Sequence, residues 1–166
     1  MIGDRWGVTD HEVARRYPCD DLVPSPAVEL WRGVTVHASP ERLWRWVRQL
    51  QLAPYAYDVI DNLGRRSPRE LREVPDPQPG DPMSHVSGRW PIGRVLATAP
   101  GEHLTVGVMG SVMSYVLVPH GDGTRLLLKV VVEKARWYGR AVALGDWPMA
   151  RRQLLNWKQL AEGVTR

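Results

Sequence analysis

Apolar positions recur with two different periods along this chain, and each change of period marks an element. Over 30–37 they alternate. Leu30, Arg32, Val34 and Val36 share one face, and Trp31, Gly33, Thr35 and His37 share the other, the two-residue period of a strand. Over 40–50 the spacing becomes helical, with Leu43, Trp44, Val47 and Leu50 as the inward stripe. Ser39 is placed to cap this helix, and Pro40 takes its first position. Pro54 breaks it. Residues 55–63 predict a second short helix, ended by Gly64. Alternation then returns at short spacing over 83–88, 93–99, 103–109, 112–119 and 124–134. Turn residues such as Pro100-Gly101-Glu102 and His120-Gly121-Asp122-Gly123 separate these stretches. The pattern predicts an antiparallel meander. In its last strand Leu126, Leu128, Val130 and Val132 face one way, with Arg125, Lys129 and Glu133 among those facing the other.

The chain closes on helical spacing. Ala150, Leu154, Trp157 and Ala161 share one face, while Arg151, Arg152 and Lys158 lie off it. Gly145-Asp146-Trp147-Pro148 predicts the start of that helix, and 137–144 a separate short helix or helical turn. At the other end, Thr9 and Glu12 fit a capping box for a helix over 10–16. Pro18 ends it, and 20–26 reads as an extended, Pro-rich strap. Residues 65–79 form a polar excursion ending in Pro75-Asp76-Pro77-Gln78-Pro79-Gly80, with one helical turn expected at 68–73. Its length and polarity make it a candidate lid.

Composition narrows the class. The 166 residues are 43% hydrophobic and 24% charged, the balance of an ordinary globular domain. No apolar run approaches the ~20 residues of a membrane span. The start lacks a basic stretch followed by an apolar one, and Cys19 has no partner, so a reducing, cytoplasmic setting is expected. Phe is absent, whereas there are eight Trp and five Tyr. Net charge is +4. Basic residues are interleaved with acidic ones, as on a solvated surface.

The element order is a strand, two short helices, a meander and a long closing helix. It resembles the START-like helix-grip superfamily, in the branch known as polyketide cyclase/dehydrase and lipid transport (SRPBCC type). Local sequence carries the likeness through nearly the whole chain. Trp6-Gly7-Val8-Thr9 with Glu12, and Pro18 through Asp21-Leu22-Val23-Pro24, resemble that branch's N-terminal extension. Pro40-Glu41, Trp44-Arg45-Trp46-Val47 and Gln49 resemble its first helix, and Tyr55-Ala56-Tyr57-Asp58 with Asn62 its aromatic second helix. Gly80-Asp81 matches the entry to its second strand, and 149–162 its closing helix. Cys19 stands where Gly is common, and 82–91 is shorter and richer in Trp and Pro than usual. The resemblance implies an α+β helix-grip fold: a curved antiparallel sheet wrapped around a long C-terminal helix. Residues 1–27 would be an extension or strap, and 28–166 the core of one domain.

A sheet wrapped around a helix leaves room between them for an apolar ligand with a few polar anchors. Trp46, Tyr57, Met83, His85, Trp90, Met113, Tyr115, Trp147 and Trp157 are the expected lining, although plain core packing is the simpler account of any one of them. Tyr55, Tyr57, Asp58 and His85 are the candidate acid–base groups. On a helix Tyr55, Asp58 and Asn62 would share a face. The alternative for this cluster is structural, with Tyr hydroxyls satisfied at the core edge and Asp58 and Asn62 tying down the chain. The five His share no metal-ligand spacing, so neither a metal nor a cofactor is expected. Acids around Cys19 are expected to raise its pKa. Arg65, Arg66, Arg69, Arg72, Arg151 and Arg152 could form a basic patch, but aromatics do not interleave with them. Nucleic acid is therefore not the expected partner. Three readings follow: a module binding a small hydrophobic molecule, a cyclase/dehydratase-like enzyme, or an interaction protein with a filled core.

Overall fold

A computed structural model describes the backbone of residues 4–58, 62–86, 90–133 and 137–163, and the side chains of these except at 86, 90 and 137–147. The elements are β1 (Arg5–Trp6), α1 (Asp10–Val13), α2 (Pro18–Leu22), β2 (Val28–Val36) and α3 (Pro40–Val47), with a 3-10 turn at Arg48–Gln51. Then come β3 (Pro82–Val86), β4 (Trp90–Ala99), β5 (His103–Val108), β6 (Ser111–His120), β7 (Gly123–Val132) and the long α4 (Trp137–Glu162). The strands form one sheet in the order β1-β2-β7-β6-β5-β4-β3. β1 runs parallel to β2, and every other pair is antiparallel. The register slips between Val95 and Ala97, a bulge of the kind that bends a strand. This is the expected helix-grip arrangement.

The face that grips α4 is the one alternation selects. Leu30, Val34 and Val36 of β2, Leu126, Leu128 and Val130 of β7, and Ala150, Leu154, Trp157 and Ala161 of α4 join one buried cluster. Leu43, Trp44, Val47 and Leu50 enter it from α3 and the turn, as the stripe predicts, and Trp46 with them. Ser39 caps α3 through the Arg42 amide.

The opposite face is also covered. Leu127 and Val131 of β7 pack beneath Tyr17, Cys19 and Val23. Here the expected extended strap is partly helical. Pro18 starts α2 rather than only ending α1, because Pro fits a first helical position and the Asp20 carboxylate accepts the Tyr17 amide. The predicted capping box is present, but α1 stops at Val13. The extension is fastened by charge. Arg125 pairs with Glu12 (2.6 Å), and Lys129 with Asp20 (2.6 Å) and Glu29 (2.7 Å). Gly7 and Gly33 let the two chains touch, since a Cβ on Gly7 would lie 2.3 Å from the Gly33 carbonyl oxygen.

Three further expectations change. Tyr55 is not helical: its φ is +59°, and regular helix resumes only at Asp58, so Tyr55 and Asp58 are not a helical pair. Residues 68–73 make no helical turn. Their backbone is held open by Gln49, whose Oε1 accepts the Arg72 amide (2.6 Å) while Nε2 donates to the Glu70 carbonyl (3.4 Å) and the Tyr55 hydroxyl (2.9 Å). Finally, α4 is already helical from Trp137 and carries Pro148 inside it, at the cost of one backbone hydrogen bond.

Two predictions follow from these contacts. Gln49→Leu strands the Arg72 amide and the buried Tyr55 hydroxyl, and should cost about 1–3 kcal/mol at pH 7 by urea unfolding. Faster amide exchange across 65–76 should accompany it; a loss below about 0.5 kcal/mol would mean water replaces the carboxamide. The second concerns acid. The Arg125 hydrogen bond holds the Glu12 carboxyl below its ordinary 4.5. A depressed folded pKa stabilises above the unfolded value, and that stability is lost as pH falls through the folded one. The urea midpoint of Glu12→Gln should therefore fall less than that of the parent between pH 5 and about pH 3.

Candidate functional site

The aromatic side chains expected to line a cavity meet in the core. Trp157 is fully buried, with its ring edge-on to Tyr115 (centroids 5.3 Å apart) and tilted against Tyr55 (6.1 Å). Met83 and Trp46 belong to the same packed cluster, and Met113 lies partly buried against it. Helix α4 pins this group. Gln153 accepts the Tyr115 hydroxyl (2.7 Å) and donates to the Pro54 carbonyl, while Asn156 donates to the Tyr55 carbonyl (2.8 Å). Burial pushes the Tyr55 phenol well above its usual 10.0. The Trp157 indole N–H has no partner among the described residues. The side chains of Trp90 and Trp147, also expected at the cavity, lie outside the described residues.

The expected acid–base groups are not gathered at one point. Tyr57 is 40% exposed. Asp58 accepts the Ser67 hydroxyl (2.6 Å) and, with Tyr55, Arg69 and Asn156, borders a crevice of about 10 Å³, room for about one water. Asn62 is buried and donates to the Arg65 carbonyl (2.7 Å). His85 lies elsewhere, at a separate opening.

That opening holds about 250 Å³. The end of the 3-10 turn supplies an apolar wall, Leu52 and Ala53, continued by Pro68. Across it stand Asn62, Arg65, Arg66, Arg72 and His85. Ala53 is also a member of the buried core, so the pocket floor is the edge of the sheet–helix interior. Strand β3 is fixed here by side chains. The Ser84 hydroxyl donates to the Leu50 carbonyl (3.3 Å), and His85 Nδ1 lies 2.7 Å from the Gln51 carbonyl, so Nδ1 carries the proton. The rim comes from the excursion, which is tied down: Trp44 Nε1 donates to Asp76 (2.8 Å) and Gln51 Nε2 to the Pro75 carbonyl (3.0 Å).

Five of the six Arg considered as one patch fall at three separate places. Arg65, Arg66 and Arg72 reach this pocket, Arg69 the crevice, and Arg151 lies over the Trp6 ring (4.9 Å). Leu52, Ala53 and the organising role of Gln49 were missed from sequence. The one available signal for Gln49 was its helical spacing from the buried Trp46. A groove of about 450 Å³ on the outer face, between Arg15, Arg16 and Pro18 and the strand ends at His103 and Val116–Pro119, was also missed. Burial lowers the His103 pKa there. Cys19 is buried and free, its thiol pushed up to about 11 mainly by burial, with Asp20 adding to the rise. Among the described residues no group of three His, Cys, Asp or Glu is placed to hold a metal. None of the described helices is long and apolar enough to cross a membrane.

No family model matches the chain, and no curated protein does. Solved structures do match its fold. The chain is similar to protein BH1534 of Bacillus halodurans, with a TM-score of 0.57 at 15% identity over 83% of this chain and 99% of that one. It is similar to protein NE0264 of Nitrosomonas europaea, with a TM-score of 0.55 at 15% identity over 81% and 94%. It is also similar to EF2215 of Enterococcus faecalis, a conserved protein of unknown function, with a TM-score of 0.51 at 14% identity over 84% and 74%. At these identities the likeness establishes a shared α+β sheet-and-helix fold.

Proposed function

We propose that the protein is a binding module for a small, largely apolar molecule. The molecule sits in the pocket between Leu52, Ala53, residues 62–72 and His85, with the START-like arrangement as its scaffold. The single observation behind this reading is the pocket itself. It opens at the edge of the sheet–helix interior, has an apolar wall and a polar rim, and its 250 Å³ suits a ligand below drug size. The catalytic alternative, a cyclase/dehydratase-like enzyme, needs Asp58 and His85 to act on one atom. Their placement at different openings favours binding over it.

Native against denaturing mass spectrometry of freshly purified protein tests this. The native protein should carry an excess mass that denaturation removes. Leu52→Trp, which fills the pocket from a partly exposed position, should lower its occupancy about tenfold with an unchanged circular dichroism spectrum. An adduct retained at full occupancy in a folded Leu52→Trp would place binding elsewhere. A clean mass for the parent, unchanged by millimolar 2-naphthol, would overturn the reading.

A further inference from the structure

The pocket's charge is lopsided. Three guanidinium groups and an imidazole contribute to its lining, and among the described residues no carboxylate does. Acids do occur nearby in sequence, at Asp58, Asp61, Glu70, Glu73 and Asp76; Asp61 lies outside the described residues, and the fold keeps the other four out of the lining. Asp58 turns to the Ser67 hydroxyl on the far side of Pro68. Asp76 is taken by Trp44 Nε1 and Arg48. Glu70 and Glu73 are exposed and stay outside the lining. Among the described residues, Arg66 and Arg72 have no carboxylate partner. Arg72 is held in place by its own backbone, since its amide is fixed on Gln49.

Cationic groups around a concave, half-apolar site raise the local concentration of anions, and guanidinium forks match the geometry of oxyanions. We infer that the ligand is an organic anion: a carboxylate or phosphate monoester on a small apolar body. The oxyanion lies between Arg66 and Arg72, and the body lies against Leu52, Ala53 and Pro68. This rests on the binding reading above and adds the ligand's charge to it. Orientation follows as well. The anion sits at the solvent side, where both Arg are exposed, and the apolar end points to Ala53 at the core.

The test uses the full chain labelled with nitrogen-15 and four probes of one size: benzoate, phenyl phosphate, benzyl alcohol and benzylamine, with inorganic phosphate as a fifth. The backbone amides of Leu52, Ala53 and His85 report on the pocket. Benzoate and phenyl phosphate should shift them at concentrations about tenfold or more below benzyl alcohol, and benzylamine least. The double variant Arg66→Gln, Arg72→Gln should remove most of that preference. Raising ionic strength should weaken benzoate but not benzyl alcohol. Equal responses to benzoate and benzyl alcohol, or a preference that survives in the double variant, would overturn the anion assignment while leaving an apolar binding pocket intact. Inorganic phosphate acting as strongly as phenyl phosphate would overturn the organic part. Silence of all three amides towards every probe would sink the binding reading itself, and the anion assignment with it.

Discussion

A single buried carboxamide sets the shape of the pocket end of this molecule. Gln49 is fully buried, and its two polar atoms reach two separate chain segments, at Tyr55 and at Glu70 and Arg72. A buried amide group must be satisfied, and here the partners lie six to twenty-three residues away. The carboxamide acts as a strand would, giving a donor and an acceptor to an extended backbone that has no sheet beside it. Tyr55 is thereby kept out of helix, residues 70–72 are laid across the end of α3, and Arg72 is carried to the pocket rim.

The same contact separates packing from opening. Tyr55, drawn inward, completes the stack with Trp157 and Tyr115, and α4 locks it there through Gln153 and Asn156. Aromatic groups that a ligand would need to displace are thus committed to the core, where edge-on contacts and hydrogen bonds both favour them. The opening is moved to the side, between the turn, the excursion and β3. Its apolar wall comes from the end of the helix stripe and its polar rim from the tied-down excursion, so both properties have one origin in the Gln49 contacts.

The other face of the sheet is handled by charge. Lys129 is buried under α2, and burial works against its charge, but the hydrogen bonds it donates to Asp20 and Glu29 outweigh it and hold its pKa above the usual value. Its Nζ also lies over the Trp31 and Tyr17 rings, 5.1 and 5.7 Å from their centres. With Arg125 on Glu12, these contacts cover apolar residues of β7 that would otherwise be exposed. The covered outer face frees the gripping face to be specialised.

What the sequence determined by itself was whatever depends on neighbours in the chain. Strand alternation, the Ser39–Pro40 helix start, the Thr9–Glu12 box and the α4 stripe through Ala150, Leu154, Trp157 and Ala161 are local, because side-chain direction repeats with backbone period. They suffice for the element order and hence for the helix-grip fold. The helical pairing of Tyr55 with Asp58 did not hold because Tyr55 has a φ of +59° and its hydroxyl is bound to Gln49, although both residues still border one crevice. Pro148 looked like a boundary because propensity is local, whereas the backbone of α4 is already helical before it. Which Arg residues share a pocket, which carboxylates are drawn away from it, and whether Trp157 is wall or core were decided only in tertiary structure. Each depends on pairings across tens of residues, where burial and hydrogen-bond satisfaction outweigh any preference legible in a short window.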